Sequence, residues 1–160
     1  MNKTKKPKKI IIGWKEWFAF NELGLPAIKG KIDTGAKTSS LHAFNIKTFM
    51  RDGKEFVKFQ IHPLQKNQKI TRVCIAPIID HRFVSDSSGK KEKRYVIESL
   101  LTIGEITLNI EITLSNRDTM AFRMLLGREA IKKSNMIVDV SKSFAQGKIK
   151  RSLVLKQYKN

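Results

Sequence analysis

Asp33-Thr34-Gly35-Ala36-Lys37-Thr38-Ser39 is the stretch of this chain whose residue types and spacing could do chemistry. The run before it, Ala27-Ile28-Lys29-Gly30-Lys31-Ile32, is strand-like and delivers a carboxylate at its end. Thr34 then supplies a hydroxyl that hydrogen-bonds its surroundings, and Gly35 permits a tight backbone turn. A carboxylate presented at such a turn can do acid–base work on a water molecule. Taken alone, the same three residues also describe an Asx-type turn at a strand end, the commoner use of an Asp-Thr-Gly.

A second segment lies far downstream. Met124-Leu125-Leu126-Gly127-Arg128-Glu129-Ala130-Ile131 reads as an apolar strand, a glycine turn and the start of a short helix. Together the two segments resemble the retropepsin-like aspartic peptidases, over roughly residues 10 to 140. The continuation Thr38-Ser39-Ser40-Leu41-His42-Ala43 is similar to a bacterial branch of that family labelled ATP-dependent zinc proteases. The resemblance implies that the two elements pack against each other beneath a catalytic carboxylate. It implies an all-β, retropepsin-like closed β-barrel with one short helix and a homodimeric architecture.

Aspartic proteolysis needs two carboxylates close enough to share one proton, so that one acts as base and the other as acid. This chain has one Asp-Thr-Gly. Asp86-Ser87-Ser88-Gly89 carries an extra residue before its glycine, and Asp118-Thr119-Met120 has no glycine. The expectation is therefore a site completed by a second copy, with Asp33 from each subunit at a two-fold axis. The resemblance gives the same arrangement and the roles within it. Asp33 is the catalytic residue, Thr34 braces the pair across the axis, Gly35 keeps the turn open and Ala36 lies next to substrate. Gly127 and Arg128 support the turn or the dimer. Lys37 departs from many retropepsins. Its charge would lower a nearby carboxylate pKa and attract acidic substrate side chains, although a solvent-facing turn lysine fits equally well.

The charge is the second large feature. Thirty-two Lys and Arg against fourteen Asp and Glu give a net charge of +18 and a pI near 10.2. A field of that sign attracts polyanions such as nucleic acid, ribosomes or an acidic peptide. The cations gather in an N-terminal arm (Lys3, Lys5, Lys6, Lys8, Lys9), a mid-chain cluster (Lys90, Lys91, Lys93, Arg94) and a C-terminal group (Lys148, Lys150, Arg151, Lys156, Lys159). Each cluster by itself is what a solvated tail or loop carries. The apolar runs are far too short for a membrane span. The brief Ile10-Ile11-Ile12 run and the single Cys74 place the expected location in the cytoplasm, away from membranes.

Residues 1–9 read as a disordered basic arm, 10–141 as the folded domain and 142–160 as a basic C-terminal extension. Strands are expected at Ile10 to Ile12, Glu16 to Phe20, Ala27 to Ile32, Ser40 to Phe49, Phe56 to His62 and Lys69 to Ile79. A hairpin of Arg94 to Leu101 with Glu105 to Leu114 follows, the second arm alternating Ile106, Leu108, Ile110, Ile112 and Leu114 with polar residues. Arg51-Asp52-Gly53-Lys54 fits a hairpin turn. Glu129 to Ser134 is the one expected helix, Met136 to Val140 a closing strand, and Leu153-Val154-Leu155 a further strand candidate. A flap belongs somewhere between residues 62 and 98.

No cofactor is expected. His42, His62, His81 and Cys74 are widely separated and lack the close pairs of familiar zinc sites. ATP binding finds no Gly-x-x-x-x-Gly-Lys-Ser/Thr loop. The leading reading is a homodimeric aspartic endopeptidase. Relatives in the branch are associated with enzymes that add glutamate tails to a ribosomal protein, which suggests an acidic peptide substrate. The competing reading is a catalytically silent β-barrel that binds RNA or ribosomes through its basic surface.

Overall fold

In the computed structural model, residues 8–86, 88–116 and 121–159 are described. Most of the expected arm, including Lys3, Lys5 and Lys6, lies outside them, as do Ser87 and the Asp118-Thr119-Met120 stretch. The chain is mostly β. Its strands are β1 Ile10–Ile12, β2 Lys15–Phe20, β3 Leu25–Asp33, β4 Ser39–His42, β5 Phe44–Arg51 and β6 Lys54–Ile61. They continue with β7 Arg72–Pro77, β8 Asp80–Ser85, β9 Lys91–Ile103, β10 Ile106–Ser115, β11 Met124–Gly127 and β12 Met136–Val138.

The large sheet runs in the order β10-β4-β11-β3-β2-β9-β8, and β9 also pairs with β10. A path from β10 through β4, β11, β3 and β2 to β9 therefore returns to its start. Inside it lie Phe18, Phe20, Leu25, Ile28, Leu41, Ile97, Leu101 and Ile112, all essentially solvent-free. Burial of each such side chain stabilises the fold by about 1.5–3 kcal/mol. A separate antiparallel sheet, β5-β6-β7, adds Val57, Phe59, Ile61, Cys74 and Ala76 to the same core. Its hairpin turn has Asp52 and Gly53 at φ 51° and 75°, the positive angles that Asp-Gly suits. β1 and β12 pair in parallel as a small third sheet.

Several expectations need correction. The run Ser40 to Phe49 is two strands in two sheets: the chain breaks at buried Ala43, and Asn45 takes a left-handed φ of 50°. More than one helix is present. α1 spans Arg128–Lys133, close to expectation, and α2 spans Arg151–Lys159 where Leu153-Val154-Leu155 suggested a strand. Helix wins there because Val154 and Tyr158, four residues apart, fall on one face and pack on Ala27 of β3. The Tyr158 hydroxyl donates to the Ala27 carbonyl.

The polypeptide before α2 is pinned by a buried carboxylate. Glu16 points inward from β2 and accepts N–H bonds from Gly13, Ala145 and Gln146 at 2.6, 2.9 and 2.9 Å. No helix among the described residues is long and apolar enough to cross a membrane.

Candidate functional site

Asp33 is the last residue of β3, and in the parallel β3–β11 ladder it stands opposite Gly127. β11 is sandwiched, pairing with β3 on one side and antiparallel to β4 on the other. The strand before the Asp-Thr-Gly turn, the strand after it and the Leu-Leu-Gly strand are thus hydrogen-bonded neighbours.

The turn itself is tightly tied. Gly35 N–H donates to Asp33 Oδ1 at 3.1 Å, and Ala36 N–H to the Asp33 carbonyl at 3.3 Å. A helix begins with N–H groups that have no partner in the helix. Here Arg128 N–H donates to the Ala36 carbonyl at 2.7 Å and Glu129 N–H to the Lys37 carbonyl at 3.1 Å. The Arg128 guanidinium donates to the Thr34 carbonyl at 2.9 Å, so its charge sits on the turn although it opens a helix. Ser39 Oγ accepts from Gly127 N–H at 3.0 Å. A Cβ on Gly127 would lie 2.6–2.8 Å from the Thr38–Ser39 backbone, a separation no side chain tolerates. The second segment therefore acts as a cradle for the first. Asp33 and Ala36 are half-buried in it, while Thr34, Gly35 and Lys37 are exposed.

Asp33, Ala36 and Lys37 line one side of an open cleft of about 1650 Å³. Its other walls come from the β8–β9 hairpin, within the stretch where a flap is expected, and from β10, none of whose residues was among the expected site residues. The expected flap region thus supplies Arg82, Phe83, Val84 and Asp86 to the cleft. On β10 the polar residues Asn109, Glu111, Thr113 and Ser115 face it. Their alternation with Ile110, Ile112 and Leu114 reads in the sequence as a solvent face. In the fold it is a cleft wall, and Thr113 and Ser115 are each only 1% exposed.

Charge in the cleft is mixed. Arg82 donates to Asp80 and Glu111 at 2.7 and 2.6 Å. Those bonds hold the Glu111 carboxyl below its usual range, with Lys37 adding to the effect, and hold Asp80 low as well. Lys37, Lys132 and Lys133 stand beside Asp33 and Glu129 on the other wall. Most of the +18 surplus therefore lies outside the cleft.

The histidines go separate ways. His62 stacks on Phe44 with centroids 4.5 Å apart and meets the Thr71 hydroxyl at 3.2 Å. His81 pairs with Glu55 at 3.0 Å, and His42 is buried in β4. The Cys74 thiol, on the buried face of β7, donates to the Leu23 carbonyl at 3.3 Å. Among the described residues no group of three or more His, Cys, Asp and Glu is placed to hold a metal ion.

Comparison with known proteins adds three findings. A family model described as retropepsin-like aspartic endopeptidase RimB matches residues 11–149. A protein named probable alpha-L-glutamate ligase from Desulfotalea psychrophila is 49% identical over 150 residues, covering 94% of this chain and 32% of that relative. Another of that name from Shewanella halifaxensis is 50% identical over 139 residues, covering 87% and 30%. The chain thus spans about a third of the length of the curated relatives it matches. A solved structure of the Legionella pneumophila protein Lpg0085, of unknown function, superposes with a TM-score of 0.73 at 25% identity, covering 88% of this chain and all of that one.

These relatives correct the functional expectation. At 44–50% identity the curated proteins carry ligase names, which overturns the aspartic endopeptidase reading with its hydrolase and protease labels. What the match over residues 11–149 establishes is membership: the chain belongs to the RimB-like family of retropepsin-like proteins.

Proposed function

We propose that this chain is a polypeptide-holding module of α-glutamate ligation, binding a glutamate-bearing acidic chain in the cleft above the Asp33 turn. The observation that carries the reading is the match of nearly the whole chain to about a third of proteins named probable alpha-L-glutamate ligase. Forming an amide from a carboxylate requires that carboxylate to be activated. In this proposal activation belongs to the remaining two thirds of those relatives, and the present chain positions the growing acidic product. Asp33, Thr34, Gly35 and Ala36 make the floor of the site, Gly127 and Arg128 hold that floor in place, and Lys37 meets acidic side chains. The surplus positive charge elsewhere on the chain steers a polyanion inward at long range. The ring of strand pairings acts as a closed barrel in this account, and a second copy packs at the exposed Thr34–Gly35 tip.

Fluorescence anisotropy of a labelled oligoglutamate peptide, with oligoglutamine as control, tests the reading. Glutamate is expected to bind more tightly, to weaken as salt is raised, and to lose several-fold affinity on Lys37→Ala. Equal affinity for the two peptides would remove the proposal.

A further inference from the structure

Apart from the cleft, one face of β2 and β3 gathers aromatic rings and cations that have no acidic partner. In the antiparallel ladder Lys15 stands opposite Lys31, and Trp17 opposite Lys29. Like charges directly opposite one another destabilise a sheet. Among the described residues no ion pair relieves the crowding, since none involves Lys15, Lys29, Lys31 or Arg151. Burial, then Lys15, then Arg151 hold the Lys29 ammonium below its usual range. Arg151 opens α2, whose first turn carries no acid, and a cation there opposes the helix dipole. None of these residues lines the cleft.

Rings are interleaved with these charges. Trp17 stacks on Phe144 with centroids 6.3 Å apart, and Lys29 Nζ lies 5.1 and 5.5 Å from the two ring centres. Lys15 Nζ lies 4.7 Å from the ring of the exposed Trp14 and 5.2 Å from that of Phe144. Phe144 holds its place in a strained conformation, with a left-handed φ of 55° that a bulky residue rarely adopts. Its N–H donates to the Lys15 carbonyl at 2.9 Å, and the next two N–H groups go to the buried Glu16. A strained aromatic fixed by its surroundings points to a task at that position. A cluster that served packing alone would bring acids to balance its lysines. Cations set against flat rings instead complement a strand that alternates phosphates with bases, whereas an acidic peptide offers charge and no ring.

We propose that Trp14, Trp17 and Phe144, with Lys15, Lys29 and Arg151, form a binding surface for single-stranded nucleic acid. The rings stack bases and the cations meet phosphates. The surface lies outside the cleft, so it stands or falls independently of the proposed holding function.

Trp14 and Trp17 are the two tryptophans of the chain, so indole emission reports on this surface alone. The test titrates the full chain with oligoadenylate RNA, with oligoglutamate of matched charge and with anionic phosphatidylglycerol vesicles. The RNA is expected to quench the emission saturably, with the other two leaving it in place. Lys15→Ala/Lys29→Ala is expected to weaken RNA binding on the order of tenfold and to flatten its salt slope by about 0.7 for each lysine removed. Lys47→Ala/Lys58→Ala takes the same charge from the β5–β6 hairpin and is expected to bind about as tightly as wild type. Unchanged wild-type emission with the RNA would overturn the surface, whatever the folding of the variants. Equal weakening by the two double variants would overturn it as well. A response to oligoglutamate or vesicles matching that to RNA would assign the face to an acidic protein or a membrane and overturn it too.

Discussion

Gly127 shows how one residue fixes the candidate site. Its N–H bonds Ser39, its ladder partner is Asp33, and the backbone of Thr38 and Ser39 occupies the space where a Cβ would go. Gly127→Ala must push that backbone away, and with it the end of the Asp33 turn. Overpacking of this kind costs about 1–3 kcal/mol. Urea unfolding of the variant is expected to show that loss; an unchanged midpoint would mean the cradle is looser than described. Arg128 is fixed by the same logic, as its guanidinium bonds the Thr34 carbonyl and its backbone N–H the Ala36 carbonyl. Both residues were picked out in the sequence through the resemblance carried by Met124 to Ile131, and Arg128 also because a cation is poorly placed at a helix start. Thr113 and Ser115 on the cleft side of β10 did not stand out. Nothing in a strand that alternates Thr and Ser with Leu and Ile distinguishes water from a cleft on its polar side.

At the scale of elements, local pattern foretold the strands that alternate and missed those decided by long-range contact. β10 was legible because every second residue from Ile106 to Leu114 is apolar. The Asp52–Gly53 turn was legible because its residue types suit its backbone angles. α2 was not, because Leu153-Val154-Leu155 is equally apolar as a strand, and only Ala27, over a hundred residues earlier, selects the helical face. Tyr158 is the anchor of that element. Burial, offset in part by the Ala27 bond, pushes its phenol from 10.0 up to about 12, and burial likewise pushes the Cys74 thiol from 9.0 up to about 12. A pKa raised by folding means that the folded state resists ionisation. Its stabilising effect is complete below the unfolded value and disappears as pH rises through the folded one. Tyr158→Phe is expected to cost about 1 kcal/mol near neutral pH. Its deficit against wild type should close between pH 10 and 12, while the Cys74 contribution is common to both chains. Urea titrations across that range check this, and a deficit that stays constant with pH would show that Tyr158 ionises as freely folded as unfolded.

At the scale of the molecule, the proposed holding function divides the labour of recognition between the +18 charge and the balanced cleft. In that proposal the field outside attracts an acidic chain and is screened by salt, whereas a few placed cations inside decide what stays. The two-copy arrangement proposed at the Thr34–Gly35 tip belongs to this scale. Light scattering should give a mass near twice 18.4 kDa, and a mass equal to one chain at working concentration would remove it. The family was legible from two short segments, since their spacing lets them meet across β3 and β11. The activity was not, because a carboxylate on a turn is compatible with several chemistries and the curated relatives extend well beyond this chain.

The measurement that tests the holding function most directly is an NMR titration of the isotope-labelled chain with oligoglutamate and, separately, oligoglutamine. The account predicts that oligoglutamate shifts the amides of residues 33–40, Arg94, and Thr113 to Ser115, with oligoglutamine leaving them in place. Shifts confined to the lysine-rich α2 region, or the same shifts with both peptides, would contradict it.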